Sequence, residues 1–546
     1  MAGLVLMGRI MESPWVCGAE APLGQDFWLN MMLLKLGAIV GEGTWLEIDP
    51  GQAVRQEDWH HAGMESSKTP SPTMNASATE GAASGGINEE LLRRFDVSGP
   101  RYTSYPTADR FVEAFAPTQY EQALGQRAEG LGAATPLSVY VHVPFCESVC
   151  YYCACNKVIT KHHERATEYL QALEQEMALL HDRLRAHPAL SQLHLGGGSP
   201  TFLSDAELSQ LMDMLRRHFR IAPGAEISIE VDPRTVDAQR LAHLRALGFN
   251  RLSYGVQDFD PDVQRAVHRE QSLQSVQALM AAARSLGFES INVDLIYGLP
   301  LQTPESFTRT VNQVAALRPD RIALYGYAHL PQRFKPQRRI AAESLPAAAD
   351  KLSMLSGAIS GFLGHGYSYI GMDHFALPTD SLAVAKRQGR LHRNFQGYST
   401  QPDCDLLGLG PSAISRVGPH YAQNAKTLPE YYDALRQGQL PVQRGLVLTR
   451  DDLVRRAVIM ALMCQGRVEF ESIELAHLIK MPEYFKNELA RLQQLQEDGL
   501  VRLEAQAIQV TPLGWYFVRA VAMVFDRYLQ ADRRLDGPGP RFSRIL

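Results

Sequence analysis

Leu137–Cys155 reads LSVYVHVPFCESVCYYCAC. The first seven residues are rich in β-branched, aromatic and apolar side chains and predict a strand. A cysteine run follows almost at once, as Cys146-x3-Cys150-x2-Cys153, with Cys155 just beyond. Three thiols from one short loop is the informative number. Four would close an iron-sulfur cube, whereas three leave one iron open to a chelating molecule. Structural zinc is the alternative, but such sites usually draw paired knuckles or histidines from separated segments, and the sequence holds no second knuckle. Cys155 could complete a four-cysteine zinc site only if this tight loop folded around the ion unaided.

Working outward, the same alternation repeats. After LSVYVHV come SQLHL (191–195), EISIEV (226–231), RLSYGVQ (251–257), INVDLIYGL (291–299) and RIALYGYA (321–328), with helical stretches between them. Between the second and third, Leu208, Leu211, Met212, Leu215 and Phe219 share one helical face, and Ser204 stands where an N-cap belongs. Alternating strands and helices imply parallel βαβ units. A full eight-unit barrel takes about 250 residues, so the expectation is an α/β protein built on an incomplete six-unit (βα)6 barrel over residues 137–345.

After Leu330 that rhythm stops, and residues 346–546 are expected to form a mainly helical, winged-helix-like domain. Thr449 and Asp451 can start a helix running into VRRAVIMALM, a second helix should span about 483–498, and GLVRLEAQAIQVT (499–511) suits a small hairpin. Winged helices often bind DNA, but many only pack, and no basic recognition face is visible. Upstream, ESSKTPSPTMNASATEGAASGGI (65–87) has linker composition. Residues 1–87 are read as an extension plus linker, with Met64 and Met74 as alternative starts of an over-extended chain. Residues 88–136 are read as a segment covering the active site.

Composition narrows the partners. With 546 residues the chain exceeds one ordinary core. Its 45% apolar and 21% charged residues are those of a globular protein, and a net charge of -5 argues against nucleic acid. The most apolar early stretch, Phe27–Val40, is interrupted by Asn30 and Lys35 and is too short to span a bilayer. No signal peptide is recognisable at the start, and a cytosolic protein is expected. Seven cysteines, an odd number, with four crowded together, suit a reducing compartment and metal chemistry rather than disulfides. Cys17, Cys404 and Cys464 are read as ordinary small residues. The oligomeric state stays open, with a monomer allowed.

HVPFCESVCYYCAC resembles the radical S-adenosylmethionine signature, in the form carried by oxygen-independent coproporphyrinogen III oxidases. The resemblance continues through Asn156-Lys157, LGGGSP (195–200), SIEVDP (228–233), GVQDF (255–259), DLIYGLP (294–300), YAHLP (327–331), GMDHFA (371–376) and HRNFQGY (392–398). Upstream it reaches SGPRYTSYPTA (98–108). It covers the chain from about residue 88 onward.

The resemblance implies that Cys146, Cys150 and Cys153 hold one [4Fe-4S] cluster and that two S-adenosylmethionine molecules bind. Tyr140, Gly197, Glu230 and Ile414 would contact the cluster-bound one. Tyr152, Gly198, Ser199, Gln257, Arg269, Asp294 and Ala328 would contact the other. Cys155 and Gln396 would serve catalysis. Position 199 is Ser where the family often has Thr, and 152 is Tyr where Phe is also seen. The implied reaction decarboxylates two propionates of coproporphyrinogen III to vinyl groups through a 5'-deoxyadenosyl radical, with an unidentified electron donor and acceptor.

The motifs close their strands, where ligand sites of βα barrels lie. Gly196–Gly198 would let a backbone approach a ligand, or would simply make a tight turn. Glu230, on the polar face of EISIEV, suits a ribose diol, or would be a solvated acid. Coproporphyrinogen carries four propionates, so local cations are needed. Arg101 and Arg393, supported by His392 and Gln396, are the candidates, with surface solvation as the commoner fate of an Arg.

A haem chaperone sharing the barrel and the three cysteines is the alternative. Cys155, Asp258 and the RYTSYPT segment favour the oxidase over it. A winged-helix regulator with an iron-sulfur sensor is a third class, and would have to bind DNA.

Overall fold

The computed structural model describes residues 89–534, apart from Asp96, Ala186, Asp373, Pro402 and Asp403, together with Phe542. All described residues belong to one unit, Ala82–Leu546. The expectations for residues 1–87, including Met64, Met74 and Phe27–Val40, lie outside the described residues.

Six strands form the expected series, numbered here for the large sheet alone: β1 Leu137–Val143, β2 Ala189–Gly197, β3 Arg220–Val231, β4 Arg251–Gln257, β5 Ser290–Tyr297 and β6 Arg321–Gly326. Each pairs in parallel with the next, in chain order. Helices α1 Glu164–Leu184, α2 Asp205–His218, α3 Ala238–Ala246, α4 Leu273–Ser285, α5 Pro304–Leu317 and α6 Ala348–Gly364 provide the crossovers and cover. The start of α2 is the expected one: the Ser204 hydroxyl accepts from the Glu207 N–H at 3.3 Å, and the Glu207 carboxylate accepts from the Ser204 N–H at 2.7 Å.

Strands β3 to β5 explain where a site can form. Ile227, Ile229, Val231, Leu252, Tyr254, Val256, Ile291, Val293 and Leu295 are buried in the main core. The alternate residues Glu230, Ser253, Gly255, Gln257 and Asp294 line a cavity on the opposite face. Period-two alternation thus puts the apolar set against the helices and the polar set inside the barrel.

The barrel is not closed. Beyond Leu330 the chain forms β7 Ser368–Gly371, β8 His374–Ala376, β9 Leu406–Leu409, β10 Ile414–Val417, β11 His420–Asn424 and β12 Val442–Val447. The resulting twelve-stranded order is β12-β11-β10-β9-β1-β2-β3-β4-β5-β6-β8-β7. Strand β9 is parallel to β1, while β8 runs antiparallel to β6. The sheet therefore runs across the expected boundary at 345/346, and Leu407, Leu409, Val417 and Tyr431 share the barrel's core. These strands are short, and the two pairings that join them to the barrel, β9 with β1 and β8 with β6, are remote in sequence, so local pattern gives little warning of them.

The helical expectation holds from α7, Arg450–Gln465, onward. Thr449 caps α7 as expected, a helix covers Lys486–Glu497, and Val501–Leu503 pairs with Ala507–Val510 as a hairpin, joined by Arg467–Glu469. A second core unites Val458, Leu462, Phe485 and Phe517 with Phe95, Tyr102 and Tyr105 of the N-terminal segment. Among the described residues no helix is long and apolar enough to cross a membrane.

Candidate active site

A cavity of about 490 Å³ opens at the carboxyl ends of β1 to β5, lined by the thiols of Cys146, Cys150, Cys153 and Cys155. Of the other residues singled out in the sequence, Tyr152, Gly197, Gly198, Ser199, Glu230, Gln257, Arg269 and Asp294 line the same cavity. Gln257 sits there at φ 70°, a left-handed conformation costly for a non-glycine residue. Tyr140, Ile414 and Ala328 stand one layer back. The Tyr140 ring stacks on His194 at 5.9 Å and its hydroxyl meets His142 Nδ1 at 3.1 Å. The Ile414 backbone packs against Gly408, which is in register with Tyr140. Buried Gln337 joins the carbonyls of Ala328 and Tyr152, at 3.2 and 2.9 Å.

The glycine triplet has an internal reason for lacking side chains. A Cβ on Gly196 would sit 2.7 Å from Glu230 Oε1, one on Gly197 2.7 Å from His142 Nδ1, and one on Gly198 2.7 Å from the Phe145 carbonyl. Protein atoms already fill that space, so the triplet first lets Glu230, His142 and the cysteine loop converge. Gly197 N–H donates to Glu230 Oε2 at 3.1 Å. Desolvation works against the Glu230 charge, but hydrogen bonds from His194 and Gly197 keep the carboxyl below its ordinary range. Asp294 goes the other way, pushed up to about 6 by desolvation and the nearby Glu230 charge.

Two guanidiniums reach Cys150: Arg269 Nη1 at 3.4 Å and Arg234 Nη2 at 3.7 Å from Sγ. Asp232 accepts from both arginines, at 3.2 Å from Arg269 and 2.7 Å from Arg234, and fixes them. A hydrogen bond from the Cys155 thiol, with the Lys157 ammonium nearby, lowers the Cys153 thiol. Burial pushes Cys146 up to about 12. Cations beside thiols favour the thiolate needed for iron. Asp232 and Lys157 lie within the motifs SIEVDP and Asn156-Lys157, and Arg234 directly follows SIEVDP, yet the sequence assigns none of the three a role. Their position at the end of β3 and beside the cysteines was the available signal.

The proposed substrate cations divide. The Arg101 guanidinium lies over the Tyr325 ring at 5.2 Å, and Tyr325 lines the main cavity. Gln396 lines a second hollow of about 160 Å³ lower in the barrel, which shares Glu230, Ser253, Asp294 and Tyr325 with the first. Arg393 is buried, its Nε donates to the Arg101 carbonyl at 3.3 Å, and its guanidinium lies 4.5 Å from the Tyr398 ring centroid. Its Nη1, like Gln396 Nε2, is buried without a hydrogen-bond acceptor. His392 instead faces a separate hollow of about 190 Å³ with Arg456 and Cys464 of α7, where Arg393 also contributes. Asp258, credited in the sequence with separating oxidase from chaperone, does not line the main cavity. It is buried and accepts from Gln302, Thr310 and the Asp260 N–H.

A model of the radical SAM superfamily matches residues 140–314, and a model of the HemN C-terminal domain matches 448–517. The oxygen-independent coproporphyrinogen III oxidase of Pseudomonas aeruginosa is 49% identical over 459 residues, covering 84% of this chain and 98% of the relative. That of Escherichia coli K12 is 49% identical over 457 residues, with the same coverage. The chain belongs to the oxygen-independent coproporphyrinogen III oxidase family. The solved HemN structure from Escherichia coli, described as a radical SAM enzyme, superimposes with a TM-score of 0.77 at 49% identity, over 81% of this chain and 100% of that one.

This member of the family is a radical SAM enzyme and an oxidoreductase. Its superfamily implies a [4Fe-4S] cluster and S-adenosylmethionine. The donor set fits the cluster. Three thiols open onto one cavity wall, with two guanidiniums at one of them. Among the described residues no three His, Cys, Asp or Glu side chains converge as ligands of a single ion. A cube spreads its thiolates over separate irons, so it does not need the convergence that tetrahedral zinc requires.

Proposed function

We propose that this chain catalyses oxygen-independent oxidative decarboxylation of two propionate side chains of coproporphyrinogen III, giving the vinyl groups of protoporphyrinogen IX. The observation that carries this reading is the arrangement of the main cavity. One wall holds the three thiols, the strand ends supply Glu230, Gln257 and Asp294, and Tyr325 links the floor to Arg101. When bound, the cluster and S-adenosylmethionine supply the hydrogen-abstracting radical. Two S-adenosylmethionine molecules fit the reading, one beside Tyr140, Gly197, Glu230 and Ile414, the other beside Tyr152, Gly198, Ser199, Gln257, Arg269, Asp294 and Ala328.

The chain's own residues orient and exclude. Cys146, Cys150 and Cys153 hold the cluster, and Arg269 and Arg234 offset its negative charge at Cys150. Glu230, kept ionised by His194 and Gly197, can accept hydrogen bonds from ribose hydroxyls. Arg393 and Gln396 each offer a buried N–H lacking an acceptor, a costly arrangement that a substrate carboxylate would relieve. Cys155 and Gln396, beside the cavity, are the candidates for moving or holding a proton near the substrate. An electron donor and a final acceptor complete the balance.

Anaerobic incubation of reconstituted protein with coproporphyrinogen III, reductant and S-adenosylmethionine, followed by chromatography, tests this reading. Protoporphyrinogen and 5'-deoxyadenosine are expected. Tight haem binding without loss of porphyrinogen would favour the chaperone instead.

A further inference from the structure

Between β6 and α6 the chain carries four cations in seven residues, Arg333, Lys335, Arg338 and Arg339, with no acid among them. All four are exposed. Their contacts are a backbone carbonyl and two rings: Arg338 Nε donates to Pro331 O at 3.0 Å, Arg333 lies over Phe334, and Arg339 lies over Tyr151 at 5.1 Å. Among the described residues none of the four pairs with a carboxylate. On a chain of net charge -5, an unneutralised basic patch of this density stands out.

Its place in the fold is specific. Lys335–Arg339 forms a short 3-10 turn whose one buried member, Gln337, holds the Tyr152 carbonyl at 2.9 Å. Tyr152 lies between cluster-ligand candidates Cys150 and Cys153, and Tyr151, beneath Arg339, stacks on His268 at 5.2 Å. On the other flank, the charge of Arg333 reaches Lys426, whose ammonium is held below its ordinary range by burial and by Arg444 and Arg333. The Lys426 carbonyl accepts from Asn156, next to Cys155. The cations therefore flank the outer side of the cysteine loop, while the substrate candidates Arg101, Gln396 and Arg393 gather around Tyr325, Tyr398 and the lower barrel.

We propose that this surface docks an acidic one-electron carrier protein, which passes its electron to the cluster behind Tyr151 and Tyr152. The inference rests on the cluster reading above. The step balances simply: the reduced carrier loses one electron, the oxidised cluster gains it, and no bond is made or broken. Complementary charge mainly raises the encounter rate, and salt screens it.

The test uses full-length reconstituted enzyme and its Arg338→Glu/Arg339→Glu and Arg333→Glu/Lys335→Glu variants, with reduced flavodoxin, an acidic flavin protein, as probe. Cluster reduction is followed by loss of visible absorbance, and binding of oxidised flavodoxin by calorimetry. Photoreduced 5-deazariboflavin, which is uncharged, serves as the small reductant. Both variants should keep the cluster and react normally with deazariboflavin, yet be reduced by flavodoxin at least ~10-fold more slowly at low salt, with a flatter salt dependence and weaker binding. Unchanged flavodoxin rates and affinity in both variants would overturn the docking surface. So would a raised KM for the porphyrinogen under deazariboflavin, which would make the patch a substrate-steering device. If wild-type protein assembled no reducible cluster with either reductant, the functional reading underneath would fall.

Discussion

Replacing Arg393 by Met should separate a recognition residue from a structural one. Arg393 is 5% exposed, with Nη1 buried and without an acceptor. Burial, together with the Arg101 charge, presses its pKa below the ordinary arginine value. On the stability side, removing the guanidinium loses one hydrogen bond to the Arg101 carbonyl and a contact with the Tyr398 ring. Those are worth about 1.5–3 and about 1–2 kcal/mol. It also removes the penalty of a buried charged donor left unmade, about 1–3 kcal/mol or more, and Met fills much of the volume. The terms cancel only in part, so the unfolding free energy read from urea titration should fall by about 2 kcal/mol.

On the binding side, a desolvated guanidinium–carboxylate pair is worth about 2–5 kcal/mol when one partner is removed. At about 1.4 kcal/mol per decade, the apparent affinity for coproporphyrinogen III should fall by roughly 30-fold or more. Anaerobic fluorescence titration with the porphyrinogen, beside urea unfolding of the same preparations, reads both quantities. The variant should still cleave S-adenosylmethionine slowly and release less carbon dioxide per 5'-deoxyadenosine. A loss of more than about 3 kcal/mol in stability with unchanged affinity would show that Arg393 braces the contacts with Arg101 and Tyr398 and holds no substrate.

Serine at Cys146, Cys150 or Cys153 should abolish the visible absorbance and iron content of the reconstituted cluster, whereas Cys155→Ser should keep both and lose turnover. Survival of the cluster in any of the first three would break the ligand assignment. Glu176, buried and held by the Gly410 N–H, Asn424 and Tyr431, has its pKa raised by burial to about 7. A raised carboxyl contributes stability that is full below about pH 4.5 and is lost as pH rises through 7, an effect of about 3 kcal/mol. Glu176→Gln should therefore flatten the stability profile between pH 5 and 8, and an unchanged slope would contradict the burial argument. A chain begun at Met74 should retain full turnover, since every residue assigned to the site lies beyond it. Loss of folding or activity on removing residues 1–73 would show that the fold or the site depends on them.

The barrel and its cysteine loop were legible because their signals are local. Strand runs alternate with amphipathic helices, and the cysteine spacing is contiguous. The cavity lining was largely legible as well, since period two in EISIEV and RLSYGVQ dictates which residues face inward. What escaped was what depends on contacts far apart in sequence. Strand β9 exists because β1 offers an open edge, and nothing in LLGL alone announces that. Arg234 and Arg269 reach Cys150 from the ends of different βα units, and Asp232 acquires its role only by holding both. The glycine triplet suits a ligand approach or a tight turn by sequence alone, whereas its nearest neighbours are Glu230, His142 and the Phe145 carbonyl. His392 neighbours Arg393 in sequence yet opens on the hollow beside α7, and only tertiary packing decides that.

The most direct test of the account follows carbon dioxide. Coproporphyrinogen III labelled at its propionate carboxyls, incubated anaerobically with reconstituted protein, reductant, an electron acceptor and S-adenosylmethionine, should release two labelled carbon dioxide molecules per protoporphyrinogen formed, and none with the Cys153→Ser protein. Wild-type protein with an intact, reducible cluster that cleaves S-adenosylmethionine but releases no labelled carbon dioxide would contradict it.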